Sequence, residues 1–186
     1  MAYETVNGYC WPQSAAPGER VALHLASAGS RPVSVEVARV GRRREVVFTE
    51  HAVPADDHPT PTDAPEHGCR WPVASEIAVG VGWRSGYYEV VMTIDVDGRT
   101  RVGRAFFVVR PDLATTSASI LWAVDTNTWH AYNDFGGRNL YTGATQASML
   151  RPMAPGYLYK PPGAGRRIRL GRLRHRLVEE AQRCSC

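Results

Sequence analysis

The sequence is poor in lysine, in cysteine and in long apolar runs. Lys160 is the one lysine among 22 basic residues, so arginine carries nearly all of the positive charge. No run approaches the roughly 18 consecutive apolar residues of a membrane-spanning helix. The first twenty residues show neither the basic region nor the apolar region of a secretory signal. These absences predict a cytoplasmic protein with no membrane partner.

Several catalytic and binding motifs are also missing. The four cysteines, at positions 10, 69, 184 and 186, form no CxxC pair. Without a secretion signal we expect no disulfide framework, so Cys10 and Cys69 are predicted to be small buried side chains, with a Cys10–Cys69 bridge as the alternative. The GxSxG elbow and the HExxH motif do not occur. Gly136-Gly137 fits the spacing of neither phosphate-binding motif, GxxxxGK(S/T) or GxGxxG.

The formal charge of +4 is unevenly distributed. Residues 165–186 contain seven arginines and two glutamates, a net of +5, whereas residues 1–164 contain 15 basic and 16 acidic groups, a net of −1. Leu170, Leu173 and Leu177 have the spacing of a basic amphipathic helix that could bind nucleic acid. Because the body adds no basic face, we expect no nucleic-acid partner and predict that residues 164–186 are a disordered or aberrant tail.

Residues 1–110 are predicted to form an antiparallel, immunoglobulin-like β-sandwich. Apolar and polar side chains alternate along residues 21–25, 33–37 and 88–96, as in strands with one buried face. Asp97-Gly98 is a hairpin signal, and residues 100–110 form the partner strand. Short strands separated by turns at this spacing are typical of immunoglobulin-sized sandwiches.

A proline-rich segment interrupts these strands between His51 and Pro72. Its five prolines predict a loop rather than a central strand or a helix. The segment also contains His51, His58, His67 and Cys69, which are zinc-ligand types. Their spacings fit no familiar ligand pattern, so we predict loop histidines that face solvent instead of a metal site.

The pattern changes at Pro111. Residues 111–118 have the composition of a linker, and the apolar run 118–124 is typical of a strand buried on both faces of a parallel sheet. The next four residues, beginning with Asp125, offer the side chains that cap a helix. Strand, polar turn and helix open an α/β unit, so residues 119–163 are predicted to begin an incomplete α/β domain with a site near residues 125–141.

Residues 125–141 read Asp-Thr-Asn-Thr-Trp-His-Ala-Tyr-Asn-Asp-Phe-Gly-Gly-Arg-Asn-Leu-Tyr. Together with residues 151–162, this segment resembles the large (β) subunit of N,N-dimethylformamidase. Weaker markers fall in the expected order upstream: Gly8-Tyr9, Ala16-Pro17-Gly18-Glu19, Gly68-Cys69-Arg70-Trp71-Pro72 and Ser85-Gly86-Tyr87-Tyr88. The resemblance covers residues 8–163 and suggests the N-terminal portion of such a subunit.

The resemblance implies a fold and an activity. Members place an immunoglobulin-like domain before an α/β domain similar to glutamine amidotransferases, and hydrolyse an amide with a mononuclear iron held by two tyrosines and a glutamate. By position, Tyr132 and Tyr141 match the tyrosines. The glutamate lies downstream of the matched region, so the implied third ligand is absent and the chain would be a truncated hydrolase, inactive alone, for the C–N bond of a small linear amide. A small subunit or a second copy is the implied partner.

The chemistry of such a site is reasonable. A phenol has a pKa of about 10 and binds metal poorly while protonated, but a trivalent cation can deprotonate it. The metal would then act as a Lewis acid and a source of hydroxide, with Asn127, His130 and Asn133 orienting water or substrate. From spacing alone, Tyr132 and Tyr141 are better explained as half-buried rings that bridge a loop to the sheet. A non-catalytic β-sandwich interaction module is the alternative function, and nucleic-acid binding through the tail is a weaker one.

Overall fold

A computed structural model describes residues 6–111 and 122–158 of the chain. This part is mainly β, as predicted, with two sheets and two short helices that are consistent with a β-sandwich. The strands are β1 (Val6–Trp11), β2 (Ser14–Ala15), β3 (Arg20–Ser27), β4 (Val33–Val40), β5 (Arg44–Val53), β6 (Val73–Ala78), β7 (Gly86–Val96) and β8 (Arg99–Val109), and the helices are α1 (Ala64–His67) and α2 (Thr126–Ala131).

One sheet has three strands, in the order β1-β3-β6, and the other has five, in the order β2-β8-β7-β4-β5. Neighbouring strands are antiparallel, except that β2 pairs with β8 in parallel. In β3, β4 and β7 every second side chain is apolar and enters one shared core, which includes Leu23, Val35 and Val90. Burial of this face is what the period-two pattern predicts.

The hairpin between β7 and β8 confirms the Asp97-Gly98 prediction. Both residues have positive φ values, 54° and 71°, as a two-residue turn of the primed type requires. The Asp95 carboxylate accepts a hydrogen bond from the Gly98 N–H at 2.9 Å. The strands on either side of the turn, β7 and β8, pair along their full length, from Val96–Arg99 to Gly86–Val109.

Strand β7 is buried on both of its faces near its start. Tyr88 points into the sandwich and stacks on Phe107, with ring centroids 5.5 Å apart. Tyr87 points the opposite way and stacks on Phe106 at 5.4 Å, and Trp129 of α2 packs against the Phe106 ring at 5.3 Å. Trp129 and its neighbours in residues 122–158 therefore pack on the outer side of the five-stranded sheet, whereas Phe135 and Leu150 pack against Tyr9 and Trp71.

The proline-rich segment differs from its prediction at two places. Strand β5 continues through His51 to Val53, and α1 forms one short helical turn. Our expectation of no helix was wrong there because Pro65 lies in the first turn, where the backbone N–H has no intrahelical acceptor to lose. His51 and His67 are exposed as predicted, whereas His58 is half-buried and stacks on Trp71. Cys10 and Cys69 are buried and free, which confirms the prediction for both.

The start of α2 also follows its prediction, since the Asp125 carboxylate caps the helix by accepting the Thr128 N–H at 3.2 Å. The predicted strand 118–124 lies outside the described residues except for Trp122–Val124, which are not in a strand. Most of the linker and the tail 164–186 lie outside them as well, so the domain boundaries stay predictions. In the described residues, no helix is both long and apolar enough to cross a membrane.

Candidate functional site

Tyr132 and Tyr141 lie side by side on the surface. Their rings are stacked, with centroids 4.3 Å apart and planes inclined by 17°. Tyr132 is 45% exposed and Tyr141 66% exposed. Hydrogen bonding between the two side chains raises the pKa of Tyr141 above its ordinary value. The fold thus forms an accessible pair of phenols from residues nine positions apart.

A tight reversal of the chain brings the two tyrosines together. Tyr132 follows the last residue of α2, and the Gly137 N–H closes a turn onto the Asp134 carbonyl at 2.8 Å. Gly136 and Gly137 both have positive φ values, 88° and 97°, which glycine adopts at little cost. The returning backbone then joins the end of α2, because the Leu140 N–H donates to the Ala131 carbonyl at 3.2 Å.

A third phenol, that of Tyr157, lies within electrostatic range of Tyr132. Tyr157 has a buried hydroxyl with no hydrogen-bond partner in the described part of the chain. Burial, and then the negative charges of Asp134, Tyr132 and Asp125, together raise the pKa of Tyr157 to about 12. Tyr157 therefore lies within electrostatic range of Tyr132 and of two carboxylates.

The three residues predicted to orient water or substrate occupy different environments. Asn127 is exposed on the first turn of α2. His130 is buried, and its Nε2 lies against the side-chain amide of Gln13, 2.8 Å from the nitrogen and 3.1 Å from the oxygen. Burial, and then the charge of Arg151, lower the pKa of His130 to about 4, so the ring is neutral near pH 7.

Asn133 is fully buried behind the tyrosines. Its amide nitrogen donates to the Pro152 carbonyl at 2.9 Å. Its side-chain oxygen accepts the N–H groups of Phe135 at 3.1 Å and Ala154 at 2.9 Å. These contacts tie the segment after α2 to residues 152–154, which favours a structural role for this side chain.

Sequence reasoning missed Arg151 as an organiser of the site. The side chain is 1% exposed, and its guanidinium donates to the carbonyls of Ser148, Phe135 and His130. The carbonyls of His130 and Phe135 lie on either side of Tyr132 in the chain. Spacing carries no signal for this role, because the acceptors are backbone groups of three separate segments.

Helix α1 supports the site from the proline-rich segment. Arg138 makes two hydrogen bonds to the Glu66 carboxylate, at 2.9 and 2.8 Å. The Cys69 N–H donates to the Leu150 carbonyl at 2.8 Å, and the Ser148 N–H to the Pro65 carbonyl at 2.9 Å. The site segment is therefore attached to the sandwich through residues 65–69.

The phenol pair fits part of the implied iron site. Two adjacent phenols are a reasonable part of a donor set for a trivalent cation. Within residues 6–111 and 122–158, no three His, Cys, Asp or Glu side chains converge as a metal-binding group. The described residues thus contain two phenols of the kind that the resemblance implies, without a converging carboxylate group.

A family model matches residues 34–177, which is most of the chain and includes the whole candidate site. The chain belongs to the N,N-dimethylformamidase beta subunit-like family. The match is to the C-terminal domain of that beta subunit-like family, and it covers strands β4 to β8 as well as the tyrosine segment. The match starts at residue 34, whereas the resemblance noted above starts at residue 8. The match also continues past Gly163, to residue 177. No curated protein matches the chain.

Proposed function

We propose that this chain carries two tyrosine ligands, Tyr132 and Tyr141, of an iron-dependent amide hydrolase. The proposal depends on one observation, the accessible stacked pair of phenols inside a segment matched to the N,N-dimethylformamidase beta subunit-like family. Asp125 and Asp134 support it, because both act electrostatically on Tyr157, as Tyr132 does, and negative charge in this region attracts a cation. The family description supports a small linear amide as the substrate.

The residues around the pair differ in the roles that they can have, from binding water or the amide to holding the backbone in place. Iron held by the two phenolates would supply Lewis acidity towards an amide carbonyl. Asn127 is exposed and can hydrogen-bond water or the amide, whereas His130 and Asn133 are buried and hold α2 and the following turn in place. The described residues provide no converging carboxylate group, so we propose that a small subunit or a second copy is needed for turnover.

The test is a titration of the metal-free chain with ferric iron, followed by visible absorption. We expect a tyrosinate-to-iron charge-transfer band that is lost in Tyr132→Phe and in Tyr141→Phe. Tyr88→Phe is the matched control, since its hydroxyl donates to the Arg84 carbonyl in the sandwich. A wild-type chain without the band, or a band that survives both site variants, would overturn the iron proposal.

A second measurement tests the need for a partner. The iron-loaded chain is incubated with dimethylformamide, and release of dimethylamine is measured. We expect no turnover by the chain alone. Turnover by a species that sediments as a monomer would contradict the proposed partner, while turnover by a dimer would identify a second copy as that partner.

A further inference from the structure

A single side chain, that of Asn139, joins the backbones of Tyr132 and Tyr141. Its Nδ2 donates to the Tyr132 carbonyl at 3.3 Å, and its Oδ1 accepts the Tyr141 N–H at 2.7 Å. A carboxamide suits this place because it offers a donor and an acceptor on one rigid plane. The Asn139 side chain is buried, although the two residues that it binds are exposed.

Asn139 is itself held by four further hydrogen bonds. Its Nδ2 donates to Oδ1 of Asp134 at 2.6 Å, and its backbone N–H donates to Oγ1 of Thr142 at 2.8 Å. Its carbonyl accepts the N–H groups of Thr142 at 3.1 Å and Ala144 at 2.9 Å. With side chain and backbone both anchored, the amide has a single orientation, and so do the two peptide groups that it binds.

Beyond their contact with each other, the tyrosine rings have little side-chain packing to fix their spacing. Both are exposed, so each lacks the close packing that locks a buried aromatic side chain. Their relative position follows from the backbone beneath them, where Asn139 and the Leu140–Ala131 hydrogen bond hold the two chains together. The Asn139 contacts are made by its side chain and are lost on substitution, whereas the Leu140–Ala131 hydrogen bond joins two backbone groups.

We infer that Asn139 is the positioning residue that sets the spacing of Tyr132 and Tyr141, and that it thereby sets the affinity of the pair for a metal ion. The spacing of the tyrosines is a property of the metal-free chain, whereas its effect on metal affinity rests on the proposed function.

The test compares Asn139→Ala with Gln146→Ala in the full chain. Gln146 is a carboxamide of the same segment whose contacts are to Glu66 and His67 and not to the tyrosines. Two quantities are measured: the hydrogen exchange rate of the Tyr141 amide without metal, and the ferric affinity from the charge-transfer band. We expect Asn139→Ala to change each by about tenfold, the order expected for a lost hydrogen bond at a buried group, and Gln146→Ala to change neither.

A double variant in which the side chains of Asn139 and Asp134 are exchanged separates positioning from a general loss of stability. Asn139→Asp keeps the acceptor for the Tyr141 N–H but places a second carboxylate against Asp134, so the band should weaken. Adding Asp134→Asn restores a donor and an acceptor at that contact with their roles exchanged. The Tyr132 carbonyl still lacks its donor in the double variant. We therefore expect it to recover the slow Tyr141 exchange while the band stays weaker than in the wild type, and both can be measured even if Asn139→Ala does not fold.

The outcomes distinguish this inference from the proposed function. If the wild type binds iron and both Asn139→Ala and Asn139→Asp bind it equally well, the inference is wrong and the iron site stands. If the wild type shows no band but Asn139→Ala accelerates exchange at Tyr141, the positioning role stands and the iron site is wrong. Unchanged Tyr141 exchange in Asn139→Ala overturns the inference in either case.

Discussion

Arg138 binds Glu66 through two hydrogen bonds, 2.9 Å from Nε to Oε1 and 2.8 Å from Nη2 to Oε2. The two residues are 72 positions apart, and their contact attaches the tyrosine segment to α1. Such fork-shaped pairs fix orientation as well as distance. One part of the attachment of the site is therefore a polar contact that can be altered without changing the core.

The first prediction concerns this pair. Arg138→Lys should lower the melting temperature because an ammonium cannot reproduce both hydrogen bonds. The hydrogen bond from Arg138 holds the pKa of Glu66 below its ordinary value, so the contribution of the pair is present near neutral pH and is lost as the pH falls through that lowered pKa. Thermal unfolding of wild type and variant from pH 7 to pH 3 should show the difference shrinking with acid. A constant difference would contradict the pairing.

The second prediction concerns Arg151. Arg151→Met should destabilise the protein by about 3 kcal/mol, because the carbonyls of Ser148 and Phe135 would lose their guanidinium donor and that of His130 would keep only a backbone N–H. Arg84→Met is the control: Arg84 is exposed and pairs with Glu45 at 2.9 Å, and loss of such a surface pair costs about 1 kcal/mol or less. Urea unfolding measures both, and equal effects would show that Arg151 does not organise the site.

The third prediction concerns His130. Its pKa is lowered from 6.5 to about 4, so between those values the unfolded chain binds a proton that the folded chain excludes. Stability should therefore fall as the pH drops from 6.5 to 4, by up to about 3 kcal/mol from this group, and level off below. His130→Gln should remove that part of the pH dependence in the metal-free chain, whereas His51→Gln, at an exposed position, should leave it intact. Parallel pH profiles for wild type and His130→Gln would refute the prediction.

The fourth prediction concerns Gly68. A β-carbon at this position would lie 2.7 Å from the Leu150 carbonyl oxygen and 2.8 Å from the Leu150 β-carbon. Gly68→Ala should therefore cost about 1–3 kcal/mol more than Gly18→Ala, which has a similarly positive φ but open space around it. The free energy of unfolding of each variant gives the comparison. Equal costs would mean that α1 does not pack closely on the site segment.

Part of this structure could be read from single stretches of sequence. The alternation in β3, β4 and β7, the Asp97-Gly98 turn and the Asp125 cap are local signals, because each depends on residues a few positions apart. The family resemblance likewise rests on a contiguous segment, and it singled out Tyr132 and Tyr141. The prediction of no helix in the proline-rich segment failed because it treated Pro65 without regard to its place in a helical turn.

The sequence by itself determined that this protein is mainly β and that its polar and aromatic residues are concentrated between positions 125 and 141. Only the tertiary structure decided that Tyr132 and Tyr141 stack, that Asn139 links their backbones, and that Arg138 and Arg151 fasten the segment. The reason is physical. Strand and turn patterns arise from neighbouring residues, whereas these contacts join segments far apart in the chain or end on backbone groups, which carry no residue-specific mark in the sequence.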